Sequence, residues 1–218
     1  MHCQGILINR ARVKSLGYTK PRTLLDIGAG PGTFLEEAKK KGWSVYGTEV
    51  GNILYNRLAR QFGRSHIFKG EVQKIKFGKL KFDAVTLWHV FEHIPNVHQT
   101  LRSIKKIMAK NSLLIIEVPH ARSLNFMIFK NYRTLLMPPQ HLHFWSESSL
   151  RQLLNSYNVK IVKVSYPVHF PYVFASSLIG KYRFLLVVSP FIVLLSVVWA
   201  FLISLFDRGD VIRVYARL

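Results

Sequence analysis

The chain has one cysteine, few acids and no stretch that reads as a leader, and each shortage narrows what the protein can be. A lone thiol, Cys3, excludes an intramolecular disulfide and fits a reducing compartment. The first residues lack a basic segment followed by an apolar one, so no secretory signal is expected and the cytoplasm is the expected place of action. Eleven Asp and Glu stand against 31 Lys and Arg, a formal charge of +20. Such a charge favours phosphate-rich partners, nucleic acid or an anionic membrane surface, without choosing between them. There is no internal repeat and no low-complexity linker, and 218 residues suffice for one well-buried α/β domain but not for two of ordinary size.

What is present alternates as a parallel α/β sheet requires. Apolar strand patterns run over Thr23–Gly28, Trp43–Glu49, His66–Lys69, Phe82–His89, Leu113–Val118, Val159–Val164 and Val211–Ala216. Helical spacing fills Pro31–Lys41, with Gly42 as its stop, then Asn52–Phe62, Val97–Ala109 and Glu147 to about Tyr157, the last capped by Ser146.

The most informative segment lies between the first strand and its helix, Asp26-Ile27-Gly28-Ala29-Gly30-Pro31-Gly32-Thr33. Three closely spaced glycines let backbone approach a ligand where side chains would collide. A second acid, Glu49, closes the next strand 23 positions after Asp26, where a doubly wound sheet offers a carboxylate to ribose hydroxyls. A dinucleotide fingerprint would need a third glycine where Thr33 stands, so a pyrophosphate ligand is disfavoured.

The D-x-G-x-G-x-G pattern resembles motif I of the class I S-adenosylmethionine-dependent methyltransferases, over roughly residues 20 to 165 and the last strand. The resemblance implies a Rossmann-like seven-stranded sheet with an antiparallel last strand, and S-adenosylmethionine as cofactor. It places Asp26 by the methionine end of the cofactor, Gly28, Ala29, Gly30 and Gly32 along its pocket, Glu49 on the ribose, and Glu71 with Val72 near the adenine. A solvated loop acid is the plainer reading of Glu71.

Trp88-His89-Val90-Phe91-Glu92-His93-Ile94-Pro95 is similar to the H-V-L-E-H-I/L-P block of a branch acting on small molecules and lipid-linked acceptors. Pro139-Gln140-His141-Leu142-His143-Phe144 is similar to its P-R-H-L-x-H-F element, with Gln140 in place of the usual basic residue. The two blocks follow different strands and can meet in one crevice. His93 and His143 are the expected general bases, since imidazole near neutral pKa suits removal of a hydroxyl proton. His141 reads equally well as scaffold, and His89 is expected in the cofactor pocket. Helical spacing of His89, Glu92 and His93 would also gather a divalent metal, as in the E-x-x-E-H cluster of some ubiquinone-pathway O-methyltransferases, although His89 replaces the first glutamate; no metal is expected. The D/N-P-P-Y/F/W block of base-methylating enzymes is absent, and Cys3 lies too far from the glycine loop for cytosine C5 chemistry.

Two stretches exceed a minimal sheet. His120 to Trp145 lies beyond the fifth strand and is the expected substrate lid. Residues 165 to 208 form an apolar insertion into a domain made of residues 1–164 and 209–218. Within it Phe184 to Phe206 holds 23 consecutive uncharged residues, enough to cross a bilayer core of about 30 Å as a transmembrane helix. A single crossing would strand the last strand on the wrong side, so a helical hairpin or interfacial pair broken at Pro190 is expected. Lys181, Arg183 and Arg208 would then sit at headgroup level. An oligomerisation face, a buried helical pair and a single span remain open. The leading expectation is O-methylation of a small or lipid-linked acceptor at the cytoplasmic membrane face. An RNA methyltransferase and a non-catalytic cofactor-binding scaffold are the alternatives.

Overall fold

The computed structural model describes residues 2–17, 22–129, 139–167, 173–182 and 189–218. Arg183, residues 184–188 of the long apolar run and residues 130–138 of the expected lid lie outside them, as does the side chain of Lys181.

Seven strands form one sheet: β1 (Thr23–Ile27), β2 (Ser44–Glu49), β3 (Ile67–Lys69), β4 (Phe82–Trp88), β5 (Met108–Pro119), β6 (Lys160–Ser165) and β7 (Val211–Arg217). Their order is β3-β2-β1-β4-β5-β7-β6. β1 to β5 run parallel, while β7 lies antiparallel between β5 and β6. The expected seven-stranded Rossmann-like architecture with an antiparallel last strand is therefore the observed one.

The pleat sorts side chains by parity. Leu25, Ile27, Val85, Leu87, Ile116, Val118, Ile212 and Val214 pack on one face with α4 (Val97–Ile107) and α6 (Glu147–Asn155). Leu24, Ala84, Leu113, Ile115 and Tyr215 pack on the other with α2 (Thr33–Lys40) and α3 (Asn52–Phe62). Polar caps set two helix starts: Asn96 accepts from Gln99 N at 3.0 Å, and Ser146 and Ser149 bond reciprocally.

Several boundaries move. α2 begins at Thr33 rather than Pro31, because the glycine loop is still turning, with Gly32 at φ 80°. β5 starts five residues early, and an irregularity in its pairing with β4 separates Met108 from Leu113. α4 stops at Ile107 and α6 at Asn155, each short of the expected end.

Two helices were not expected. α1 (His2–Ser15) packs on α2, and α5 (Leu124–Phe129) lies just after β5. α1 buries only Val13 and Asn9 among its described side chains, so no apolar stripe announces it. It docks by polar contacts instead: Asn9 Nδ2 donates to Thr33 Oγ1 at 2.8 Å, and Arg10 pairs with Glu37 at 3.1 Å.

The insertion holds α7 (Val173–Lys181) and α8 (Ser189–Leu205), which pack together and return the chain to β7. Among the described residues no helix is long and apolar enough to cross a membrane, which corrects the transmembrane expectation. Pro190 stands in the first described turn of α8, and residues 183–188, on which the expected break at Pro190 depends, lie outside the described residues. β7 pairs along β5, so the chain returns to the sheet after the insertion.

Candidate functional site

β1 and β2 end side by side, and their terminal residues open the cleft. Gly28 has φ 69°, and a Cβ there would lie 2.7 Å from the Val90 side chain, so only glycine lets the first turn pass beneath the loop after β4. At Gly32, φ 80° combines with a Cβ position blocked by Leu58 and Phe62 of α3.

Glu49 is buried and bridges the loop to the next helix. Its carboxylate accepts from Gly30 N at 3.0 Å and from Gly51 N at 2.8 Å. Thr48 Oγ1 accepts from Gly28 N at 3.2 Å. These contacts frame a cavity of about 230 Å³. Gly28, Glu49, Glu71, Val72 and His93 line it, together with Gln73 and the backbone turn at Pro95. Among the described residues its lining contains two carboxylates and no lysine or arginine, in a protein carrying a net +20. That chemistry repels phosphate and suits a ligand with a positive centre, hydroxyl donors and an amino group. Glu71, half-exposed, is steadied by Lys74 at 3.2 Å and Gln73 at 2.6 Å.

Asp26, Ala29, Gly30, Gly32, His89 and His143 do not line this cavity. Asp26 is buried one residue behind it, accepting from Thr86 Oγ1 at 2.7 Å on the neighbouring strand. Burial pushes its carboxyl up to about 7, against the Thr86 hydrogen bond and the nearby Arg12.

The two histidine blocks do meet. Leu142 N and His143 N donate to the Glu92 carbonyl at 2.8 and 3.2 Å. His93 Nδ1 lies 2.8 Å from the Gln140 carbonyl and His143 Nε2 lies 2.9 Å from the Ile94 carbonyl. A carbonyl only accepts, so each of these nitrogens carries the proton. The neutral His93 ring therefore keeps its lone pair on Nε2. The His93 and His141 rings meet edge-on at 4.8 Å, and burial pushes His141 below its ordinary value. Ligand atoms of Glu92, His93 and His141 fall within 4.8 Å of one another, close enough to share one divalent cation.

His89 is not part of that cluster. It has φ 55°, rare for a non-glycine residue, and turns back beneath the cleft. There it stands 3.5 Å from Glu92 and 3.4 Å from Glu117. Burial opposes its charge, but Glu117 and Glu92 together outweigh it and raise its pKa to about 9. The pleat places Asp26, Thr86, Glu117 and Arg213 on the face that α1 covers. Arg213 grips Glu117 at 2.5 and 2.7 Å, α1 brings Arg12 to the same carboxylate, and both guanidiniums lie over Trp88, at 4.7 Å for Arg12 and 5.3 Å for Arg213.

This buried network was missed in the sequence. The available signal was the pair of charges, Glu117 and Arg213, each interrupting an apolar strand. A pH dependence follows. With the folded pKa raised from 6.5 to about 9, the stabilisation from His89 is complete below pH 6.5 and is lost as pH rises through about 9. A quarter of the side chain stays accessible, so the expected loss is roughly 2 kcal/mol rather than the roughly 3 that full burial would give. Denaturant titrations at both ends of that window check it, and His89→Asn, which tolerates the same backbone, is expected to flatten the slope.

A family model described as a methyltransferase domain matches residues 8–164. The chain is 26% identical over 156 residues to the C-methyltransferase NovU of Streptomyces niveus, covering 70% of this chain and 36% of that protein. It is 26% identical over 144 residues to a ubiquinone biosynthesis O-methyltransferase of Alkalilimnicola ehrlichii, covering 61% of this chain and 56% of that one. The chain thus spans less than two thirds of either curated relative. The crystal structure of a SAM-dependent methyltransferase from Archaeoglobus fulgidus superposes with a TM-score of 0.65 at 18% identity, over 98% of this chain and 94% of that one.

Proposed function

The chain belongs to the methyltransferase domain family, and from that premise we propose that it moves a methyl group from S-adenosylmethionine to a hydroxyl of a small or lipid-linked acceptor at the cytoplasmic membrane face. The observation that carries the donor is the acid-lined cavity at the ends of β1 and β2, which has no lysine or arginine among the described residues. In this reading Glu49 accepts ribose hydroxyls and Glu71 meets the adenine amino group, while the sulfonium finds negative potential instead of the phosphate-binding amides of a dinucleotide site.

Methyl transfer from a sulfonium needs little beyond alignment and, for a hydroxyl acceptor, removal of one proton. His93 takes that part. It lines the cavity, and with Nδ1–H held by the Gln140 carbonyl its Nε2 is the basic atom. His143, fixed to the Ile94 carbonyl, holds the second block against the first and acts by positioning. The bond from the donor's methyl carbon to sulfur breaks as the acceptor oxygen–carbon bond forms, and the hydroxyl proton leaves on His93.

Incubating labelled S-adenosylmethionine with the protein and membrane extracts identifies the acceptor by the fraction that gains label. His93→Ala is expected to lower turnover about 10²- to 10⁴-fold with donor affinity intact. Full turnover in that variant would remove His93 from the mechanism.

A further inference from the structure

α8 is apolar all round, yet among the described residues only one side of it is covered. Ile192, Ser196, Ala200 and Ile203 face inward, where Trp199 Nε1 donates to Asn125 Oδ1 of α5 at 2.8 Å and stacks near Phe174 of α7. Phe191, Leu194, Leu195, Val198, Phe201 and Leu205 form the outward stripe, each more than half exposed. Met127 and Ile128 of α5 are exposed as well. A monomer in water rarely leaves such a stripe uncovered.

What adjoins the stripe points to its occupant. Just past α8, Arg208 and Arg122 stand at the edge of an open cleft of about 530 Å³ whose other lining residues are Ala121, Phe126 and Met127. Both arginines are exposed, and among the described residues neither makes an ion pair, although Arg208 Nη1 leans on the Arg122 carbonyl at 3.5 Å. Two uncompensated guanidiniums over an apolar floor match a phosphate group joined to acyl chains. α8 is about 25 Å long, too short to span and long enough to lie in the interface plane. Its attachment is firm: Leu124 N donates to the Arg208 carbonyl at 3.0 Å and Asn125 Nδ2 to Asp210 Oδ2 at 2.8 Å.

We propose that the outward stripe of α8 lies in the interface of an anionic phospholipid leaflet, with a lipid headgroup phosphate held between Arg122 and Arg208. This deepens the membrane-face reading and rests on it. The element fixes how the domain is presented to the bilayer, since α8 is tied through α5 to β7 and so to the sheet.

Vesicle flotation tests the docking without reference to turnover. The full chain is expected to float with vesicles of phosphatidylcholine and phosphatidylglycerol in equal share, and far less with phosphatidylcholine alone. Leu194→Asp with Leu195→Asp, both at exposed positions, is expected to reduce the bound fraction at least about tenfold. Arg122→Gln and Arg208→Gln are expected to weaken binding to the anionic vesicles about fivefold each, and unchanged binding in both would overturn the phosphate contact. Calorimetric binding of S-adenosylhomocysteine, measured on every variant, reports the folded cofactor site. Absence of flotation with that binding intact overturns the docking and spares the methyl-transfer reading; flotation without that binding does the reverse. A concentration-dependent dimer that the aspartate pair dissociates would assign the stripe to a second copy of the chain and also overturn the proposal.

Discussion

Glu117→Ala is expected to lower unfolding free energy by about 3–5 kcal/mol, the largest effect of any single substitution considered. Its carboxylate is wholly buried and is the shared partner of Arg213, Arg12 and His89. Removing it takes from three cationic groups the carboxylate they share, leaving His89 with Glu92 and the two guanidiniums against the Trp88 ring. The cost is dominated by the stranded charges rather than by the lost ion pairs. Equilibrium denaturation measures it. Adding Arg213→Leu to the alanine variant is expected to recover part of the loss, because it removes one stranded charge, and a purely additive double variant would refute the coupling. The same substitution is expected to bring the His89 pKa down from about 9, which NMR titration of the imidazole reads directly.

Glu49→Ala is expected to weaken binding of S-adenosylmethionine roughly 100-fold or more, through two losses that reinforce each other. The carboxylate lining the cavity disappears, and so do the acceptors that fix Gly30 N and Gly51 N. The glycine loop and the start of α3 are thereby released at once. Glu49→Gln keeps an amide oxygen for one of those amides but offers the ribose a weaker, uncharged acceptor, so its affinity is expected to fall between the parent and the alanine variant. Calorimetry with S-adenosylhomocysteine gives the three affinities. Equal affinity in all three would show that Glu49 serves the loop alone.

The sheet was legible because its strands are apolar runs separated by glycine turns, and β7 could be placed antiparallel from the family resemblance. The glycine loop and Glu49 were legible for the same reason: a backbone that must turn left-handed needs glycine at Gly28 and Gly32 whatever surrounds it. α1 was not legible. Its binding determinants, Asn9 to Thr33 and Arg12 to Glu117, act across 24 and 105 residues, and long-range polar contacts leave no periodicity in the helix that makes them.

Among the histidines, helical spacing grouped His89 with Glu92 and His93. The turn Phe91–His93 is instead a short 3₁₀ turn preceded by the left-handed His89, so that side chain swings to Glu117 while His93 goes to the cavity. His141 joins His93 through the docking of the second block on the Glu92 carbonyl, which no local pattern could have specified. The apolar insertion was legible as apolar, from the uncharged run that α8 carries.

The position of β7 also orders events during synthesis. β6 pairs with β7 alone, and β7 follows every other strand in the chain. Until residues 211–217 are free to pair, β6 has no neighbour and Glu117 lacks Arg213, and the greasy α8 directly precedes them in the chain. The sheet thus closes last through the strand that follows its stickiest helix, and until it closes a chaperone or a lipid surface competes with misassembly.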